Sequence, residues 1–257
     1  MLQSTSLSLL DYVADFGARR GGELRILEVG AGTGSLAIAA LSRWPRAGLI
    51  VSDAARGMLE LARERIAAAG VGDGRVEFVE GGADALPVAA GSVDLIMSSF
   101  VLQLVPDRLT ALREAFRLLA PGGMVSYLTW LDRDARLPFL PAEEFDEAVF
   151  DLQIEEPEVA EEPHAGDVRS GRAAGNELRR AGFVNASARE DELVYDWAPD
   201  SYLEYKLAYD ERFLLGTLDD NQQRELEANA RSRLARLTAS DFRWYAAVVY
   251  ARGFRPA

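Results

Sequence analysis

Arg25-Ile26-Leu27-Glu28-Val29-Gly30-Ala31-Gly32-Thr33-Gly34 runs an apolar stretch into a turn with glycine at every second position and an acidic residue just before it. Ser35 to Ser42, which follows, is rich in alanine and leucine and reads as a helix. Strand, tight turn and helix start make the part of a βα unit where backbone comes closest to a nucleotide-like ligand. A dinucleotide turn has the spacing G-x-G-x-x-G/A; Gly30 and Gly32 fit its first two positions, but Ser35 stands at the third. About 20 residues further on, after Gly48-Leu49-Ile50-Val51-Ser52, comes Asp53, a carboxylate at a strand's C-terminal end that suits ribose hydroxyls. Glycine in a turn by itself signals only positive φ or tight packing. Strand, glycine loop, helix, strand and acid together read as a nucleoside-binding half-site.

The 257 residues are 49% hydrophobic, enough for one large α/β domain or two small ones. With 28 basic against 41 acidic residues the net charge is -13, a field that repels phosphate backbones and anionic lipid, so neither nucleic acid nor membrane is an expected partner. No cysteine occurs, which removes disulfides, thiolate metal sites and thiol nucleophiles; no metal is expected. Leu9, Val13 and Phe16 fall at helical spacing rather than in an apolar run behind a basic start, and no stretch is long enough to span a bilayer. The expectation is a soluble cytoplasmic protein.

Strand and helix alternate through the first half, which predicts a doubly wound, mostly parallel sheet. Strands are expected at Arg25 to Val29, Gly48 to Ser52, Val76 to Glu80, Val93 to Ser98 and Met124 to Thr129. Helices are expected at Ser35 to Ser42, Arg56 to Ala69 and Arg108 to Leu119, the last with Leu109, Leu112, Phe116 and Leu119 on one face. Pro121-Gly122-Gly123 should stop that helix and turn the chain into the fifth strand. Residues 130 to 170, with Phe139, Phe145, Phe150 and an acidic run from Glu155 to Glu162, read as a lid or loop. A helix at Ala173 to Ala181 closed by Gly182, a strand at Asn185 to Arg189, a helix at Asn221 to Leu237 and a final strand at Ala246 to Ala251 bring the sheet to seven strands. The expected organisation is one domain over 1–257, its core in 20–130, 171–190 and 245–253. Helical insertions at 131–170 and 191–244 would form a substrate lid.

Several motifs stand in one order: Ile26 to Gly34; Val51-Ser52-Asp53 leading to Met58-Leu59-Glu60-Leu61-Ala62-Arg63; Ala85-Leu86-Pro87; Ser92-Val93-Asp94-Leu95-Ile96; and Leu118-Leu119-Ala120-Pro121-Gly122-Gly123. Together they resemble the class I S-adenosylmethionine-dependent methyltransferases, in the small-molecule group that includes the ubiquinone and menaquinone C-methyltransferases. The resemblance covers the first half of the chain and implies a Rossmann-like fold with S-adenosylmethionine as cofactor and S-adenosylhomocysteine as product. It implies that Gly30, Ala31, Gly32 and Gly34 line the methionine and ribose side, that Glu28 holds the methionine ammonium, and that Asp53 takes the ribose hydroxyls. Ala54 or Met58 would lie against the adenine, and Ser98, Ser99 and Phe100 would border the methionine and open toward the acceptor. Where the family carries an acid for the adenine amino group this chain has Gly82, with Asp84 two residues late. Either Asp84 reaches across in a shifted loop or, the preferred reading, backbone around Ala83 holds the adenine, with Ala85 also among the cofactor-binding candidates. A family histidine after the fourth strand is replaced by Gln103.

Methyl transfer is an in-line displacement that needs alignment and exclusion of water more than a catalytic triad. Tyr12, Phe100 and Trp130 are candidates for an aromatic wall around the sulfonium, with packing the simpler reading for Trp130. His164, the only histidine, and Gln103 and Tyr12 are the candidate catalytic side chains, although His164 lies among charges that suit a solvated surface. Trp130, Phe139, Trp197, Tyr202 and Tyr205, followed by Tyr209 and Phe213, are candidates for a planar or lipophilic acceptor. The expected function is methyl transfer to O, N or C of a small molecule. A non-catalytic cofactor-binding regulator and a protein methyltransferase are the alternatives, with an NAD-dependent oxidoreductase as the fold-level competitor.

Overall fold

The structure, a computed structural model, describes residues 8–20, 23–132, 139–154 and 164–257, with backbone alone at 209, 210, 212 and 213. The expected acidic run from Glu155 to Glu162 and the side chains of Tyr209 and Phe213 lie outside the described residues. The chain divides into two compact units, one holding Met1–Arg133, Glu162–Asp191 and Ala247–Ala257, the other Asp134–Glu161 and Glu192–Ala246.

A seven-stranded sheet has the order β3-β2-β1-β4-β5-β7-β6. Its strands are β1 (Arg25–Val29), β2 (Gly48–Asp53), β3 (Val76–Glu80), β4 (Val93–Ser99), β5 (Leu119–Trp130), β6 (Val184–Asp196) and β7 (Arg243–Phe254). β1 through β5 pair in parallel and β7 returns antiparallel to β5. Ile26, Leu27 and Val29 of β1 and Leu49, Ile50 and Val51 of β2 are buried whichever way they point, because helices cover both sides of a parallel sheet.

Those helices are α1 (Ala14–Arg19), α2 (Ser35–Arg43), α3 (Arg56–Ala68), α4 (Arg108–Leu118) and α6 (Gly171–Arg180). Leu59, Ala62 and Ile66 form the buried stripe of α3. On α4 the buried stripe is Arg108, Ala111, Leu112, Ala115 and Leu118, with Leu109 and Phe116 flanking it rather than central. The chain leaves α4 at Leu119, whose ψ of 140° is extended, before Pro121 is reached. Ala120 precedes a proline, which disfavours helical backbone. The Pro121-Gly122-Gly123 stretch is therefore a bulge within β5, with Gly122 at φ 74°, and not a turn ahead of it.

Segment 164–168 stays with the first unit, narrowing the expected insertion. Ala165 and Gly166 N–H donate to the carbonyls of Val105 and Gln103, and Val168 N–H donates to Trp130. The second unit contains α5 (Leu140–Phe150), so the expected lid stretch is in part a regular helix. It continues through α7 (Pro199–Tyr205), a π turn at Lys206–Asp210, α8 (Arg212–Leu215) and α9 (Asp220–Leu234). Phe145, Tyr202, Leu226, Ala230, Leu234 and Phe242 form its core. α9 begins with a capping box in which the Asp219 carboxylate accepts the Asn221 and Gln222 N–H groups while Gln222 accepts from Asp219 N–H.

Candidate functional site

β1 ends at Val29, and Gly30, Gly32 and Gly34 then take φ of 70°, 51° and 78°, the left-handed region. A Cβ at Gly30 would lie 2.2 Å from Val101 Cγ2, and one at Gly34 would lie 3.1 Å from Ala62 Cβ, while a Cβ at Gly32 would meet nothing within 4 Å. The outer glycines are pressed against neighbours and the middle one faces open space. Ala31 N–H donates to the Ser52 carbonyl at 2.8 Å, and Gly32 N–H to Asp53 Oδ2 at 2.9 Å. Asp53 Oδ1 accepts the Ala55 N–H at 2.9 Å. Each carboxylate oxygen keeps a lone pair for a ligand, and the side chain is half-buried.

Glu28 is 3% exposed and reaches the start of α2, where it accepts the Ala37 N–H; the N-cap Gly34 has no side chain with which to do so. Its Oε2 is buried without a hydrogen-bond partner. Burial pushes its pKa up to about 8, against the Ala37 hydrogen bond that favours ionisation, with the nearby Asp53 charge adding to the rise.

The loop after β3 is tied to the same place, since Gly81 N–H donates to the Asp53 carbonyl at 3.0 Å. Ala85 N–H donates to the Gly82 carbonyl, closing a turn in which Asp84 Oδ1 lies 2.7 Å from where a Gly82 Cβ would stand. The carboxylate thus folds back over Gly82. Ala83 is half-buried, and Ala54 and Met58 are exposed, Met58 at the first turn of α3. At the end of β4 the Ser98 hydroxyl donates to the Val29 carbonyl at 3.0 Å. Beyond Ser99, Phe100 takes φ 56°, with its N–H on the Leu128 carbonyl and its ring 4.1 Å from that of Trp130. A left-handed aromatic residue is strained, and such strain gathers at functional sites.

The catalytic candidates are placed differently. Gln103 is buried, its Oε1 accepting the Thr129 hydroxyl at 2.7 Å. Tyr12 packs on Tyr250 at 5.7 Å, with the guanidiniums of Arg252 and Arg189 4.8 and 5.4 Å from its ring, so cations of the protein already occupy its faces. His164 is exposed, beside the Ala165–Val105 hydrogen bond. In the second unit Phe139, Trp197, Tyr202 and Tyr205 pack on one another, with Tyr202 5.4 Å from Phe139 and Trp197 5.1 Å from Tyr205. These are contacts of that unit's core. The sequence reading missed Val101, whose side chain covers Gly30; nothing local marks it, because the contact joins distant segments.

A family model described as a methyltransferase domain matches residues 26–123. The chain carries a class I S-adenosylmethionine-dependent methyltransferase domain. Malonyl-acyl-carrier-protein O-methyltransferase of Xylella fastidiosa is 40% identical over 119 residues, 46% of this chain and 37% of its own length. Ubiquinone/menaquinone biosynthesis C-methyltransferase UbiE of Cereibacter sphaeroides is 38% identical over 118 residues, 46% of each chain. The methyltransferase domain thus spans less than half of these curated relatives. Phosphoethanolamine N-methyltransferase 2 of Haemonchus contortus, solved with S-adenosyl-L-methionine, shares the fold over 91% of this chain and 49% of its own, with TM-score 0.53 and 20% identity. Among the described residues no helix is long and apolar enough to cross a membrane.

Proposed function

We propose that the chain binds S-adenosylmethionine at the C-terminal ends of β1, β2 and β4 and moves its methyl group to oxygen, nitrogen or carbon of a small, planar or lipophilic acceptor. The observation that carries the reading is Glu28, a buried carboxyl with one unpartnered oxygen, next to a loop whose middle glycine faces open space. A cationic amino-acid arm laid on Gly32 supplies the charge that Glu28 lacks. Asp53, on the neighbouring strand, takes the ribose hydroxyls with its two remaining lone pairs. Asp84, folded over Gly82, takes the adenine amino group, while Ala54 and Met58 border the ring and Ala83 and Ala85 shape the turn.

The cofactor supplies an electrophilic methyl on a sulfonium whose charge disappears on transfer. The chain's task is to align the acceptor and exclude water. Ring faces of Phe100 and Trp130 favour the cation over the neutral sulfide, a preference that helps product leave. Ser98 and Gln103 are committed to Val29 and Thr129, so the end of β4 works by position rather than by proton transfer.

Titration with S-adenosylhomocysteine, S-adenosylmethionine and NAD tests the cofactor. Heat from the first two and none from NAD is expected; binding of NAD alone overturns the reading. Passage of label from methyl-tritiated cofactor to a panel of phenols, amines and quinone precursors tests the transfer. Cofactor binding with no labelled product from small molecules or proteins would leave a regulator, and label on protein alone would redirect the acceptor.

A further inference from the structure

Arg65 of α3 reaches across to the glycine loop. Its Nη1 donates to the Thr33 carbonyl at 3.0 Å, to the Thr33 hydroxyl, and at 3.4 Å to the Ser35 hydroxyl. Ala62, one turn earlier on the same face, is the residue against which Gly34 is pressed. α3 therefore touches the loop at two successive points. Among the described residues Arg65 holds no carboxylate; like Arg75 and Arg255 it spends its guanidinium on backbone, here the glycine loop. It stands beside the N-terminus of α2, the end of a helix that disfavours a cation. Its own place in the last turn of α3 favours a cation, and the side chain carries that charge across to the loop.

Thr33 lies between two left-handed glycines, the residues with most conformational freedom to lose when a ligand settles on them. We propose that Arg65 is the positioning residue that fixes this loop, through Thr33, for the amino-acid arm of the cofactor. The inference rests on the function proposed above. It makes a distinction that a general structural role does not: ligands that carry the arm depend on Arg65, and ligands that lack it do not.

Calorimetric titration of the full chain with S-adenosylhomocysteine and with 5′-methylthioadenosine, which keeps the nucleoside and sulfur but has no amino-acid arm, reads that distinction. Arg65→Ala is expected to weaken S-adenosylhomocysteine about tenfold and 5′-methylthioadenosine less than about twofold, the scale of a lost charged hydrogen-bond set. Arg65→Lys should fall between, and Thr33→Val should give a smaller loss that is not additive with Arg65→Ala. Should Arg65→Ala fail to fold, Arg65→Lys and Thr33→Val carry the test. Equal losses for both ligands, or no loss for either, overturn the proposal. Wild-type protein that holds both ligands equally tightly removes the arm from the loop and ends the proposal while leaving a nucleoside site. Wild-type protein that binds neither ends the functional reading itself.

Discussion

Asp53 has two jobs in the free protein: one oxygen holds Gly32 N–H and the other Ala55 N–H. Removing the carboxylate takes away the ribose acceptor and loosens the loop that lies beside it. Asp53→Ala is expected to weaken S-adenosylhomocysteine by about 1–3 kcal/mol in a titration; unchanged affinity would sink its ribose role. Glu28 makes a second prediction through its buried proton. Its folded pKa, about 8, lies above the ordinary glutamate value of 4.5, so its contribution to stability is full below about 4.5 and is lost as pH rises through 8. In urea melts of the free protein at pH 5 and pH 8, Glu28→Gln should flatten the decline. At pH 8 it should be the more stable form by on the order of a few kcal/mol, while binding S-adenosylhomocysteine less tightly. Parallel pH profiles for the two proteins would show that Glu28 is ionised in the fold. If the cofactor's ammonium pairs with this carboxyl, binding near neutral pH releases a proton, visible as a binding heat that changes with the buffer's ionisation enthalpy.

At the scale of the element, the glycine loop separates packing from ligand contact. Alanine at Gly34 meets both a left-handed backbone and the Ala62 side chain, whereas alanine at Gly32 meets only the backbone penalty, about 1–2 kcal/mol. Gly34→Ala should therefore lower the melting temperature more. Gly32→Ala should cost more affinity for S-adenosylhomocysteine per unit of stability lost, because its Cβ enters the space assigned to the cofactor. The opposite ranking in paired melting and titration series would place the ligand elsewhere. The same loop shows why the first half was legible: β1, β2 and β4 are buried on both faces, so each is a plain apolar run ending in a special residue. β6 is not legible in this way. It runs from Val184 to Asp196 at the edge of the sheet, where Arg189-Glu190-Asp191-Glu192 need not alternate with apolar residues, and only Asn185 to Arg189 was expected. Within the site, Glu28, Asp53 and the glycines carry a local pattern. Val101 on Gly30, Asp84 over Gly82 and Arg65 on Thr33 are tertiary contacts with no local pattern to reveal them.

For the whole molecule, the division into two units places the glycine loop, Glu28, Asp53 and Phe100 in the first and a separate core around Phe145 in the second. Phe145 is fully buried, and the ammonium of Lys206, itself nearly buried, lies 4.8 Å from its ring. Phe145→Ala removes the packing and the aromatic face together, so a loss of about 3–5 kcal/mol is expected in the second unit. A ligand bound only to the first unit stabilises that unit, by roughly 2.7 kcal/mol at a hundredfold excess over Kd. Scanning calorimetry should accordingly resolve two transitions, one raised by S-adenosylhomocysteine and the other lowered by Phe145→Ala, with the ligand shift unaltered by the substitution. A single transition that answers to both would mean that the two cores melt as one cooperative body, and the separation of binding from the second unit would fail with it.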